Sequence, residues 1–122
     1  MTRAVRGATF VENTEASIRL AVTRLVTEMA ERNGVAEADI ISIIFSQTSD
    51  VDAMNPATAL RSAGYAGVPL FCAQEPTYRG SHPGMIRVLL TCETQRRRLD
   101  PVYLNGAERL RTDLFGGAPS SA

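Results

Sequence analysis

The sequence predicts an α+β domain, with a mixed sheet of about five short strands, one long amphipathic helix lying on it, and a second, short helix. Three observations carry that expectation. Short runs rich in branched and aromatic residues recur along the chain, bounded by Gly, Pro, Asn or Asp. One stretch between Asn13 and Gly34 has its apolar residues at helical spacing. No internal repeat and no linker divides the chain, so these elements share one core.

Taken in order, residues 3–11 read as the first strand. Asn13 or Thr14 can cap the helix that follows, and Glu15 sits in its first turn, where the helix dipole favours an acid. Ile18, Val22, Leu25 and Met29 fall on one face, with Arg19, Arg24, Glu28, Glu31 and Arg32 at polar positions. Asn33-Gly34 then stops the helix. Ile40–Phe45 is the most apolar run and is expected to be a central strand. Asn55 caps a short helix with Pro56 at its first position and Gly64 at its end. Strands are expected at 68–73 and 85–94, separated by PTYRGSHPG, a loop that can continue neither. After an irregular stretch from Gln95 to Pro101, Val102–Leu104 reads as a last short strand. The organisation expected is one domain over 1–115 and a frayed tail over 116–122. One long helix covers only one face of such a sheet. The other, uncovered and apolar, is expected to be buried against another subunit.

Composition excludes several classes of function. The 122 residues suffice for a single core. Thirteen acids balance thirteen bases, so no global field argues for nucleic acid or an anionic membrane. Every base is arginine, and without lysine there is no Schiff-base chemistry, hence no ordinary pyridoxal enzyme; no cofactor is expected. Cys72 and Cys92 form no metal-type cluster, and a lone His82 excludes a His-rich metal site. No apolar run spans a membrane and no signal peptide precedes the first strand, so a reduced, cytoplasmic setting is expected.

The chemistry-bearing residues cluster around 68–94. Arg87 lies in the middle of an apolar strand, and Arg6 does the same within Ala4-Val5-Arg6-Gly7-Ala8. A guanidinium so placed cannot be neutralised and needs an anion or a strong acceptor. A single strand arginine ordinarily snorkels to water at an edge. Two of them, with Glu75 at a strand end, outline a small polar site on a rigid sheet. Other residues have plainer readings. Cys72 suits a small core position, Tyr103 a half-buried aromatic, His82 an exposed and inert loop residue, and Arg96-Arg97-Arg98 a solvated loop. Arg79-Gly80-Ser81 lacks the spacing and lysine of a phosphate loop.

The ordered set Val5-Arg6-Gly7-Ala8-Thr9, Asn55-Pro56-Ala57 with Arg61, Val68-Pro69, Cys72-Ala73-Gln74-Glu75, Ile86-Arg87-Val88, Val102-Tyr103-Leu104 and Leu110-Arg111-Thr112-Asp113-Leu114 resembles the AroH-type monofunctional chorismate mutases of bacteria. The resemblance implies conversion of chorismate to prephenate in phenylalanine and tyrosine biosynthesis. It also implies a homotrimeric pseudo-barrel with active sites at subunit clefts. Arg87 is then expected to reach a substrate carboxylate and the ether oxygen, with Arg6 holding the substrate. Glu75 is expected to accept from the ring hydroxyl, Cys72 to lie beside it, and Tyr103 to bond the side-chain carboxylate. Ala57, Thr58 and Arg61 are expected to line the cleft from a neighbouring subunit, and Arg111 to approach from the tail. The family often has Phe at Asn55, Lys at Thr58 and Pro at Thr112. Loss of that lysine bears on affinity rather than on chemistry.

Strand alternation sets Cys72 and Glu75 on opposite faces, so a shared ligand requires the strand to bend or end just after Cys72. Two rival functions share these residues. One is a catalytically silent trimer that binds a small dicarboxylate. The other is a thiol enzyme pairing Cys72 with His82.

Overall fold

A computed structural model describes residues 1–108. Five strands form one mixed sheet: β1 (Thr2–Phe10), β2 (Ile40–Gln47), β3 (Leu70–Gln74), β4 (Met85–Glu93) and β5 (Val102–Leu104). Two helices accompany them, α1 (Glu15–Arg32) and α2 (Pro56–Ser62), with a 3-10 turn at Glu37–Asp39. The α+β expectation holds, element by element.

Strand order is β3-β2-β4-β1-β5. β4 runs antiparallel to both β1 and β2, whereas the two outer pairs, β2 with β3 and β1 with β5, are parallel. Ile40–Phe45 is therefore an interior strand, but the middle one is β4, which carries Arg87. Its nine residues pair along their length with β1, and most pair with β2 as well. The middle position follows from these two long ladders.

Thr14 caps α1 by accepting from the Ser17 N–H at 3.1 Å. The periodic residues Ile18, Val22, Leu25 and Met29 are all buried against the sheet. Asn33, fully buried, closes the far end. Its amide donates to the carbonyls of Met29 and Asp100 and accepts from the Asp100 N–H at 2.6 Å. That amide fixes the approach to β5. Arg96 adds a second tie through the Arg32 carbonyl at 2.9 Å, so this arginine is anchored rather than loosely solvated.

The helices cover the face bearing Val5, Ile43, Phe45, Ile86, Val88, Leu90 and Val102, which with α1 make the main core. The opposite face has no α-helix among the described residues, and Ala107 covers it only over Ala8 and Met85. There Ile44, Leu89 and Phe71 remain exposed.

Gly7 lies on the covered face, where α1 crosses closely. A Cβ at this position would stand 2.5 Å from the Met29 sulfur and 3.2 Å from a Leu25 methyl. The glycine lets helix and strand close together, which fixes Arg6 and Ala8 on the other face. Gly7→Ala is expected to destabilise the fold by about 1–3 kcal/mol, the range for overpacking a tight core, as read by urea denaturation. Unchanged stability would mean that Met29 moves aside freely.

Candidate active site

Sheet register assembles the site. β1 sets Ala8 opposite Arg87 and Arg6 opposite Leu89. β2 sets Ser46 opposite Arg87 on its other flank, and β5 sets Tyr103 opposite Ala8. Residues directly opposite one another share a face. Arg6, Ser46, Arg87 and Tyr103 thus all stand on the open face, where they line a cavity of about 270 Å3.

Glu75 reaches the same cluster from the end of β3. Its N–H donates to the Gln47 carbonyl at 2.7 Å, which carries the β2–β3 ladder one bond past Gln74. Its carboxylate accepts from Arg87 Nε at 2.7 Å. Arg87 divides the 270 Å3 cavity from a larger one of about 600 Å3, lined by Glu75, Thr48–Asp50 and the 76–83 loop. With 47 % of its side chain accessible, Arg87 remains open to a second anion while paired.

The strand does not end just after Cys72. β3 stays in register with β2 through Gln74, and alternation is unbroken. Ending it earlier would leave the N–H groups of Ala73 and Glu75 without the acceptors that β2 offers. Cys72 is therefore opposite Phe45, on the helix-covered face, and does not lie beside Glu75. Its thiol donates to Gln47 Oε1 at 3.0 Å. Burial pushes its pKa above the ordinary thiol value, and a hydrogen bond with the Ala57 backbone offsets part of that.

Cys72 instead belongs with α2. Asn55 Oδ1 caps that helix, accepting from Ala57 and Thr58 at 2.8 and 3.2 Å. This is a physical reason for Asn at a position where the resembling family often has Phe. Ala57 is buried, while Thr58 and Arg61 face outward from the same short helix. The proposed site residues thus fall into two groups within one subunit. Arg6, Arg87, Glu75 and Tyr103 form one, and Cys72, Ala57, Thr58 and Arg61 the other. Arg111, Thr112 and the tail lie outside the described residues.

His82 is half-buried rather than exposed. It meets the Phe10 ring edge-on at 6.2 Å and lines the larger cavity. Phe10 shares the open face with Ala8, so His82 and Cys72 stand on opposite sides of the sheet and form no nucleophile–base pair. Cys92 is buried in the core, and burial raises its pKa too. Among the described residues no cluster of His, Cys, Asp and Glu could hold a metal, and no helix is long and apolar enough to cross a membrane.

Sequence reasoning missed Ser46 and Gln47. Their only signal was two polar residues ending an otherwise apolar strand. The register with β4 gives Ser46 its place in the smaller cavity.

A family model described as chorismate mutase type I matches residues 2–114. The chorismate mutase AroH of Thermus thermophilus is 40% identical over 118 residues, covering 93% of this chain and 97% of the relative. Its namesake in Bacillus subtilis is 36% identical over 118 residues, covering 93% of each chain. A solved chorismate mutase from Clostridium thermocellum superposes with a TM-score of 0.83 at 44% identity, covering 87% of this chain and 97% of that one.

A partly buried thiol with a raised pKa is protonated at neutral pH and a poor nucleophile. Alkylation of Cys72 by iodoacetamide at pH 7.5 is expected to be slower than that of a cysteine in a short peptide, followed by mass spectrometry. Equal or faster reaction would restore the thiol-enzyme reading.

Proposed function

The chain belongs to the type I chorismate mutases, and from that premise we propose that its open sheet face is half of a cleft converting chorismate to prephenate. The activity is that of an isomerase. The rearrangement is pericyclic, so it needs no nucleophile and transfers no proton. The carbon–oxygen bond breaks ahead of carbon–carbon bond formation, which leaves negative charge on the ether oxygen. A fixed cation there binds the transition state better than the ground state, and that difference is catalysis.

Arg87 fills this role, carried by the middle strand and oriented by Glu75 at 2.7 Å. That ion pair is the observation on which the reading rests. Arg6 and Tyr103 hold the substrate's carboxylates, and Glu75 accepts from its ring hydroxyl. Holding a flexible dianion in its compact conformer removes much of the entropic barrier. A millionfold acceleration corresponds to roughly 8 kcal/mol, and one charge-assisted hydrogen bond contributes about 1.5–3 kcal/mol. No single arginine suffices, so prior positioning by the sheet supplies the remainder.

The second group, Ala57, Thr58, Arg61 and Cys72, completes the cleft of a neighbouring subunit in a homotrimer, with Arg111 closing from the tail. Two features support this. The group sits across the sheet from Arg87 in its own subunit, and the open face carries exposed apolar residues beside the 270 Å3 cavity. A reduced cytoplasm is the compartment that suits a chain with two free thiols.

Loss of chorismate absorbance tests the reaction, with prephenate identified as product. Arg87→Ala is expected to lower kcat by about a hundred- to a thousandfold, the range for removing one preorganised donor, with the circular dichroism spectrum unchanged. Near-normal turnover in that variant would remove the mechanism. Saturable binding of a transition-state analogue without turnover by the parent protein would favour a silent binder. Shared clefts have their own signature. Co-refolded Arg87→Ala and Arg61→Ala subunits are expected to regain about a quarter of parental turnover, since random assembly leaves that share of clefts with both halves intact. Failure to complement would mean that each subunit works alone.

A further inference from the structure

We infer that Gln47 is a positioning residue for the proposed cleft, holding the α2 group in place while its own backbone holds Glu75. The inference rests on the chorismate mutase reading and concerns a residue at the end of β2 that bonds to one member of each group, Glu75 and Cys72.

Three bonds carry it. The Gln47 carbonyl accepts from the Glu75 N–H at 2.7 Å, fixing the residue that orients Arg87. On the covered face, its side-chain oxygen accepts from the Cys72 thiol at 3.0 Å. Its side-chain nitrogen donates to the Val51 carbonyl at 2.6 Å. Val51 is buried and lies in the turn that leads to Asn55, the cap of α2. One amide thus ties β3 to the entry of the helix that presents Arg61.

The amide is suited to this in a way that no apolar residue is. It supplies a donor and an acceptor at once, in a fixed plane, to the Val51 carbonyl and the Cys72 thiol. A buried carbonyl left without a donor moves toward water or another donor, and the turn moves with it. The main-chain bond to Glu75 is independent of the side chain. Removing the amide is therefore expected to disturb the α2 group, which binds substrate, and to spare the Arg87 group, which acts on the ether oxygen. The consequence is a split between KM and kcat.

The test uses the full-length protein and chorismate. Gln47→Met keeps length and volume and removes both polar atoms; Gln47→Glu keeps the acceptor for Cys72 and removes the donor to Val51. Either variant is expected to raise KM about tenfold while kcat stays within about twofold, so the test survives if one of them folds poorly. Combining either with Arg61→Ala separates positioning from mere stabilisation. If Gln47 acts through the α2 group, the double variant has nearly the KM of Arg61→Ala alone. Unchanged KM in both variants, or penalties that multiply independently of Arg61, would overturn the inference while leaving the mutase reading intact. A parent protein without turnover would overturn both.

Discussion

A guanidinium that cannot be neutralised, planted in the middle strand of the sheet, constrains everything around it. β4 is paired on both sides, so Arg87 has no edge from which to snorkel and must leave through one face. That face cannot also be packed under a helix. The helices therefore gather on the other side, and the open side becomes available for chemistry. Glu75 is the acceptor that Arg87 requires. Because 47 % of the arginine side chain is accessible, the pair adds little to stability, about 0–1 kcal/mol for an ion pair in contact with water. An added anion can therefore join Glu75 on Arg87 at small cost. The same pair strengthens once a cleft closes over it and excludes water.

The charge balance of the open face points the same way. Arg6 and Arg87 lie diagonally across the β1–β4 ladder, through Ala8 opposite Arg87 and Arg6 opposite Leu89. Diagonal neighbours in a sheet are about 7–8 Å apart, close enough to repel each other and to grip one ligand together. Among the described residues Glu75 compensates for only one of the two. The unbalanced cation favours an anion before any substrate contact is counted. Strands hold this arrangement without loops. Gly7 lets α1 press against β1 from behind, and the ladders set the sideways spacing.

The elements and the two strand arginines of the candidate site were legible in the sequence because their causes are local. Thr14 and Asn55 are caps, the Ile18–Met29 stripe has helical period, and the loop at 76–84 is full of strand breakers. Arg6 and Arg87 stood out as charges inside apolar runs. What remained hidden depends on pairing between distant strands. The position of β4 at the centre, the continuation of β3 to Gln74 and the place of Ser46 all come from register, which no short window contains. The expected strand end after Cys72 came from asking one subunit to bring Cys72 and Glu75 together. The alternation argument itself was sound, and it separates them. His82 was read as exposed because its partner, Phe10, lies 72 positions away in the chain, as 82 minus 10.

Ile44 pairs with Phe71 on one side and with Leu89 on the other, giving an apolar row across three strands, and Leu89 lies opposite Arg6. Their exposures of 44%, 66% and 40% leave substantial apolar surface in water. Burying a large apolar side chain completely contributes about 1.5–3 kcal/mol, while association costs at least about 4 kcal/mol in lost freedom. Three partly exposed side chains come close to that cost without clearly exceeding it, so apolar contact alone makes a marginal interface. Ile44 and Leu89 also line the cavity that holds Arg6 and Arg87. A neighbour that covers the row must therefore roof the cavity, and it brings its own polar groups to the charges there. In the trimer we propose, excluding water from the site and holding the subunits together are one physical event, driven by the same face.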